Sequence, residues 1–513
     1  MQVTPTPQAP RALIIGAGIA GLACAMRLRV AGYQVSVLER HGTPGGKIRT
    51  VPSVAGPIDA GPTVLTMRHV FDDLFALFGE RLEDHVRLIK QDVLARHFWP
   101  DGNTLDLCHD EERNMGAVRA FAGDHSAAQF LKFSRRARRL FAAFDQPMMQ
   151  AADPQLATLT STVLKQPGLI PAMAPLSTLR GLLRSAFDDP RLRQLFGRYA
   201  TYVGGSPSHA PGLLALIWQA EAAGVWVVEG GMHKLVEAIA ALLRAHDVTL
   251  RTDADVARIE LQGDRVAAVC LGDGTRLPCD VLVHAGDPRA LATGALGPGV
   301  SHVARVTTRA PRSFSARVLS FAATPSRDDL VHHNVFFQSD PDAEFRDVMA
   351  GRVPAQPSCY ICALDRGQGR APPPVERFEI ITNAPATDDT TDPEDLTPWL
   401  HQITQQMAQF GMTFSPKPTA QTVTTPQAFA RMFPGSLGAL YGQSPHGMTA
   451  ALKRPRARTQ IPNLYLAGGG THPGAGVPMA TLSARHAVEA ILSDQTSMSV
   501  SAPTAMRGGM STG

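Results

Sequence analysis

The sequence predicts an α/β fold in which a Rossmann-like dinucleotide-binding domain is joined to a domain built on a mostly antiparallel sheet and to a helix-rich region. Three observations carry this expectation. Near the start, a strand-like run Leu13-Ile14-Ile15 enters Gly16-Ala17-Gly18-Ile19-Ala20-Gly21, and a helix of small and apolar residues follows, ending at Gly32. Between residues 300 and 425, short strand-like segments alternate with Pro-rich and acidic loops. Residues 65–205 place Leu and Phe at three- and four-residue spacing, the period of a helix.

Each glycine of the first stretch has a physical task. Gly16 permits a tight turn, Gly18 lets backbone N–H groups approach a pyrophosphate, and Gly21 lets the helix pack against the strand. The helix N-terminus then turns its partial positive charge to the phosphates. A second strand, residues 35–38, delivers Glu39 eighteen residues after Gly21, where a carboxylate accepts hydrogen bonds from ribose hydroxyls. The order strand, helix, strand, acid separates this stretch from a chance glycine loop, but it leaves NAD and FAD equally open. The turn-rich segment Arg40-His41-Gly42-Thr43-Pro44-Gly45-Gly46-Lys47 follows. The turn Asp59-Ala60-Gly61-Pro62-Thr63 reads equally well as a plain surface turn.

A chain of 513 residues has room for two or three domains. Hydrophobic content of 44% with 18% charged residues is globular in character. The net charge of +4 is too small to imply a nucleic-acid partner, and there is no long basic run. Residues 1–10 carry Pro5, Pro7 and Pro10 without an apolar core and read as a short disordered leader, not a signal peptide. No stretch reaches 18 apolar residues, the length of a membrane-spanning helix. Six scattered cysteines suit a reducing compartment and no disulfide framework. Cys359 and Cys362 stand three apart on an expected strand and so point to opposite faces, which argues against a redox pair or a metal chelate. No metal site is expected.

The remaining elements follow in chain order. Helices are expected over 71–78, 129–149 and 175–202. The second sets Phe130, Phe133, Leu140 and Phe144 beside Lys132, Arg135, Arg136, Arg138 and Arg139, so it reads either as a helix lying on an anionic bilayer or as a domain helix with a solvated charged face. Glu229-Gly230-Gly231-Met232, a helix over 233–246 and a strand over 248–251 return the chain to the nucleotide domain. A hairpin pairs 256–261 with 265–271 around Gly263-Asp264, and a buried strand covers 280–285. Strands over 316–321, 333–337, 360–364 and 378–382 form the sheet expected to floor a substrate cavity. In the last ordered stretch, Asn463-Leu464-Tyr465-Leu466-Ala467-Gly468-Gly469-Gly470-Thr471-His472-Pro473-Gly474-Ala475-Gly476-Val477-Pro478-Met479 repeats the strand, glycine turn and helix pattern, with the helix over 480–492. The expected organisation is a nucleotide domain from 11–65, 206–298 and 426–492, a helix-rich substrate or lid region over 66–205, a sheet domain over 299–425 and a disordered tail over 493–513.

Together these motifs resemble the FAD-dependent phytoene (carotenoid) desaturase family across roughly residues 11–492, most specifically in the closing NLYLAGGGTHPGAGVPM stretch. His332-His333-Asn334-Val335-Phe336-Phe337, Asn383-Ala384-Pro385-Ala386 and Ala439-Leu440-Tyr441-Gly442 are most similar to the proteobacterial 1-hydroxycarotenoid 3,4-desaturases, also called methoxyneurosporene dehydrogenases. The resemblance implies a fold of the flavin amine oxidase type and FAD as cofactor. It implies that Gly16, Gly18 and Gly21 hold the pyrophosphate, that Glu39 holds the adenosine ribose, and that Gly46 and Lys47 extend that site. Val256 would then contact the adenine, and Gly470, Val477 and Met479 would lie along the ribityl chain and isoalloxazine. Wider relatives often carry an acid after the terminal Ala-Gly, whereas Gly469 stands here, which weakens an amine oxidase reading.

The implied activity is introduction of a carbon–carbon double bond into an acyclic 1-hydroxycarotenoid such as 1-hydroxyneurosporene, in carotenoid biosynthesis. No catalytic side chain is assigned. His472 reads as structural or flavin-positioning, and one of His332 and His333 is a candidate polar contact for a hydroxylated end group. A single dinucleotide cradle implies that electrons pass to oxygen, a quinone or a similar acceptor. The expected partners are the apolar substrate and a membrane surface, with the protein on the cytoplasmic side as a peripheral membrane protein. Another carotenoid desaturase, a carotenoid isomerase, a non-enzymatic lipid-binding escort and a flavin amine oxidase are the alternatives.

Overall fold

A parallel sheet organises the nucleotide domain in the computed structural model, which describes residues 9–391 and 395–500. Its five strands run in the order Leu464–Leu466, Val281–His284, Arg11–Ile15, Gln34–Leu38, Thr249–Arg251, every pair parallel. Successive side chains of Arg11–Ile15 serve opposite faces, as the two-residue strand period requires. Ala12 and Ile14 join a core with the helices Ile19–Val30, His233–Ala245 and Val477–Val500. Leu13 joins a second core with the antiparallel strands Val256–Gln262 and Arg265–Leu271. Small residues let the first and last helices approach closely: Ala23 and Cys24 meet the helix carrying Ala484 and Ala487, and Cys24 Sγ lies 3.8 Å from the Ala484 carbonyl.

The second sheet has eight strands. Phe414–Ser415, Ser315–Pro325, Glu376–Ala384, Cys359–Ala363 and His333–Phe336 lie side by side, followed by Val93–Phe98 and Thr104–Cys108, while Val423–Thr424 pairs with Ser315–Pro325. All pairings are antiparallel except His333–Phe336 with Val93–Phe98. The helix-rich reading of residues 66–205 is therefore corrected in part. Two strands from that stretch complete the large sheet, and the helix His69–Ala76 buries Val70, Phe71, Leu74 and Phe75 in the core of the nucleotide domain.

The basic helix is longer than expected and runs over Glu111–Phe144, with a break at Gly123 (φ +85°). The Asp110 carboxylate caps it by accepting from the Arg113 N–H at 2.8 Å. Phe130, Phe133 and Ala137 pack against Leu182, Leu183, Phe187, Phe196 and Trp218, while Leu140 and Phe144 pack against Leu159 and Ala172. Its apolar face is thus interior, and of the two readings the domain helix holds. Cys359 and Cys362 enter different cores, as the strand period requires. The closing helix passes Leu492 and reaches Val500, correcting the tail assignment: Asp494 on it accepts from the Tyr465 hydroxyl at 2.9 Å and pairs with Arg458. The leader over 1–8 and the tail beyond residue 500 lie outside the described residues.

Candidate functional site

At the centre of the site, Gly16 adopts φ +100°, which side chains disfavour. A Cβ on Gly21 would lie 1.9 Å from the Gly16 carbonyl oxygen, so helix and turn meet at a distance only glycine allows. Gly18 stands at the start of the helix Ile19–Val30. The Gly45-Gly46-Lys47 segment lies against this turn: the Gly45 N–H donates to the Ala17 carbonyl at 2.9 Å, and a Cβ on Gly46 would stand 3.1 Å from Gly18 Cα.

Glu39 is 5% exposed and faces the same turn. Its Oε2 accepts from the Ala17 N–H at 2.8 Å and its Oε1 from the His41 N–H at 3.0 Å, leaving further lone pairs free for hydroxyl donors. Lys47 donates from Nζ to the Leu440 carbonyl at 2.5 Å, tying the cradle to the Ala439-Leu440-Tyr441-Gly442 segment. Burial pulls the Lys47 ammonium down to about 8, with the Asp287 charge opposing. The turn at Asp59 is structural and not a plain surface turn. Asp59 is buried and accepts from the N–H groups of Met232 and His233 at the start of the helix His233–Ala245, at 2.5 and 3.3 Å.

A cavity of about 940 Å³ opens from this cradle and runs between the two sheets. Of the residues expected to bind a cofactor, Gly16, Gly18, Glu39, Gly46, Lys47, Val256, Gly470 and Val477 line it. Gly21 lies beneath it as a packing contact. Met479 is a departure: it packs against the core of the nucleotide domain instead. At 100° per residue, Met479 sits about 200° round the helix from Val477, facing away from the cavity. The closing glycines are held by Arg454, whose Nη1 donates to the Gly469 carbonyl at 2.8 Å, and by the close approach of Gly442 to Gly470.

These residues fit an FAD. Glycines stand where a Cβ would obstruct the cradle, a helix N-terminus is available for the pyrophosphate, and a carboxylate with spare lone pairs faces the ribose position. The far part of the cavity is walled by Leu183, Ile217, Val318, Phe337, Phe345 and Ile381, from the helical region and the large sheet.

His472 makes the backbone contact of a structural residue, whereas His332 and His333 are placed differently from expectation. His472 donates to or accepts from nothing in the cavity; its Nε2 pairs with the Ala151 carbonyl at 2.9 Å and its ring stacks on His486. Neither His332 nor His333 lines the cavity. His332 precedes the strand His333–Phe336, so strict alternation does not apply, and both rings converge behind the sheet face. His332 Nδ1 donates to the Arg366 carbonyl at 2.8 Å, which leaves Nε2 to accept from the Cys362 thiol at 3.4 Å. His333 Nδ1 pairs at 2.6 Å with the hydroxyl of Tyr360, and it is Tyr360 that reaches the cavity.

Sequence reasoning missed a group of cavity residues: Arg198, Tyr202, Glu221 and Tyr360. Arg198 Nη1 donates to the Tyr202 hydroxyl at 3.2 Å, and its guanidinium carbon lies 5.2 Å from the ring centres of both Tyr202 and Tyr360. Burial raises the Glu221 carboxyl, opposed by the Tyr202 hydroxyl and the Arg198 charge. The available signal was a charge inside apolar surroundings, in Phe196-Gly197-Arg198-Tyr199 and Trp218-Gln219-Ala220-Glu221.

Comparison with known proteins agrees with this geometry. Residues 19–325 and 401–492 match the family described as flavin containing amine oxidoreductase. Hydroxyneurosporene desaturase of Cereibacter sphaeroides is 53% identical over 490 residues, covering 96% of this chain and 99% of that protein. The proteins of the same name from Rhodobacter capsulatus and Rubrivivax gelatinosus are 48% and 40% identical, covering 94% and 98% of this chain and 98% and 97% of their own. Among solved structures, an oxidoreductase from Methanosarcina mazei (TM-score 0.59) and putrescine oxidase bound to putrescine (TM-score 0.58) each share the fold at 14% identity. They cover 93% and 94% of this chain, and 100% and 99% of their own.

Proposed function

The chain belongs to the flavin-containing amine oxidoreductase family and, within it, to the FAD-dependent carotenoid desaturases; from that premise we propose that its substrate is an acyclic 1-hydroxycarotenoid such as 1-hydroxyneurosporene, which gains one double bond near its hydroxylated end. One observation carries this reading beyond family membership. A single cavity joins the glycine cradle and the closing glycine turn to apolar walls supplied by the helical region and the large sheet.

When bound, FAD would supply the acceptor for a hydride leaving an allylic carbon, while a proton leaves the neighbouring carbon to solvent and the electron pair of that C–H bond forms the new double bond. The chain does the holding and the positioning. Gly16, Gly18 and the helix N-terminus receive the pyrophosphate, Glu39 the ribose, and Val256, Gly470 and Val477 the flanks of the cofactor. Leu183, Val318, Phe337 and Ile381 exclude water and grip the polyene by shape, since a carotenoid offers few polar handles and its depth of insertion decides which bond is oxidised. An acceptor of the oxygen or quinone class would take up the electrons from the reduced cofactor.

No helix among the described residues is long and apolar enough to cross a membrane. The reading places the protein peripherally on the cytoplasmic side of the membrane that stores its substrate. Leu156 and Leu164, exposed on one face of the helix Leu156–Lys165, and the exposed Ile170 and Leu176 that follow, suit contact with lipid.

The test is to supply FAD-loaded protein to membranes containing 1-hydroxyneurosporene, under air and again without an electron acceptor. A gain of one double bond, seen by chromatography and a red shift of the pigment, is expected under air alone. An unchanged pigment with FAD bound refutes the substrate. A pigment that isomerises without any acceptor identifies an isomerase.

A further inference from the structure

We propose that Arg198, Tyr202 and Glu221 form the binding site for the substrate's tertiary hydroxyl group, anchoring the hydroxylated end of the polyene beside the cofactor cradle. This rests on the function proposed above and adds the groups that make the end of the chain recognisable.

Several polar groups that line the cavity are already paired. Arg180 is bonded to Asp342. Glu344 accepts from the Asn383 side chain at 2.7 Å and from the Ser358 N–H at 3.0 Å. Thr63 and Tyr360 share a hydrogen bond of 2.6 Å. Glu221 differs: it is 3% exposed, lines the cavity, and its Oε2 has no hydrogen-bond partner among the described residues. A buried acceptor left unmet is costly, so its retention points to a donor arriving with the ligand.

The Arg198 guanidinium, whose charge acts on Glu221, makes one hydrogen bond among the described residues, to the Tyr202 hydroxyl, out of the five N–H groups it carries. It is held between the Tyr202 and Tyr360 rings, a fixed donor with capacity to spare. A tertiary alcohol is complementary to this pair. Its O–H donates to Glu221 Oε2 and its oxygen accepts from Arg198, while the guanidinium charge offsets that of the buried carboxylate.

The position of the cluster matches the chemistry of the bond to be oxidised. In a 1-hydroxy polyene desaturated between carbons 3 and 4, the hydroxyl-bearing carbon is two bonds from the reacting one, so recognition of the hydroxyl has to occur at the cofactor end of the cavity. Arg198 lies against Tyr360, Tyr360 is bonded to Thr63, and Gly61 in the same turn abuts the backbone of Lys47, where a Cβ would stand 1.9 Å from the carbonyl oxygen. One aromatic ring therefore separates the cluster from the turn that borders the cradle.

The experiment compares 1-hydroxyneurosporene with 1,2-dihydroneurosporene, the same polyene with hydrogen in place of the hydroxyl, on FAD-loaded wild type, Glu221→Leu, Glu221→Gln and Tyr202→Phe. Both kcat/KM and binding, read from the polyene absorption band, are measured. Wild type should favour the hydroxylated polyene by at least about 100-fold, as sites built to hydrogen-bond a substrate hydroxyl do. Glu221→Leu should lose most of that preference through a fall on the hydroxylated substrate alone, and Glu221→Gln, which keeps an acceptor, should retain part of it. A wild type that binds both polyenes equally, or variants that lose both substrates equally, overturns the proposal. Selective binding that Glu221→Leu abolishes, without any double bond formed, upholds the site and refutes the proposed reaction. Should Glu221→Leu fail to hold flavin, Glu221→Gln and Tyr202→Phe decide by the same two ratios.

Discussion

Replacing Glu39 with Ala tests the cradle at the residue where two demands on one side chain meet. Its carboxylate accepts the Ala17 and His41 N–H groups at 2.8 and 3.0 Å from a position 5% exposed. A hydrogen bond to an ionised acceptor contributes about 1.5–3 kcal/mol. Water reaching the loop after truncation recovers part of this, so the cofactor-free protein should lose roughly 2–4 kcal/mol. Each ribose hydroxyl bond lost adds a separate penalty to FAD binding, about 10- to 100-fold in Kd. The assay is flavin absorbance relative to protein after purification, FAD titration into the cofactor-free protein, and thermal unfolding of that same form. The two penalties are distinguishable because only the first lowers the Tm without FAD. Glu39→Gln keeps one carbonyl acceptor and should fall between. Full flavin retention with unchanged Kd would show that the carboxylate serves the loop and not the ribose, and an unchanged Tm would refute the backbone argument.

Three further outcomes are expected. Gly21→Ala puts a Cβ 1.9 Å from the Gly16 carbonyl oxygen, so the helix must move off the turn and the protein should purify without flavin; wild-type flavin content would contradict this packing. His332 is pulled down from 6.5 to about 4, chiefly by burial, with the Arg366 carbonyl and Asp365 opposing. The unfolded chain therefore takes up its proton first as pH falls, and stability should be lost between pH 6.5 and 4, by up to about 3 kcal/mol from this residue. Denaturant unfolding of wild type and His332→Gln across that range checks it: the variant should show a shallower acid loss, and identical slopes would count against it. Arg366 grips Glu376 through two bonds of 2.8 and 2.7 Å, with the side chains 9% and 3% exposed. Glu376→Gln strands the guanidinium charge and should cost about 3–5 kcal/mol in unfolding free energy, whereas a loss under about 1 would mean that solvent or another acceptor compensates.

The elements that were readable in advance are those whose signal is local. The hairpin over Val256–Gln262 and Arg265–Leu271 turns at a Gly-Asp pair and was readable to within a residue. The cores of the strands Glu376–Ala384 and Ser315–Pro325 were likewise visible as apolar runs. Val93–Phe98 was not, because Arg96 and His97 break its apolar pattern and the strand is completed by pairing with His333–Phe336, far along the chain. The basic helix illustrates the opposite difficulty. Its amphipathic pattern was visible, but only the packing of Phe130 and Phe133 against Phe187 and Phe196 shows that a protein core, and not lipid, covers that face.

The sequence by itself determined the cradle. Three glycines at fixed spacing, an acid after the second strand and a closing glycine turn act through backbone dihedrals and close approach, which are properties of adjacent residues. Only the tertiary structure decided what the cavity presents to its guest. Arg198, Glu221 and Tyr360 come from three separate segments and carry no shared motif, so their convergence exists only after the helical region folds over the large sheet. The same packing withdrew His332 and His333 from the cavity and set Met479 against the nucleotide-domain core, since burial and orientation are settled by which surfaces meet.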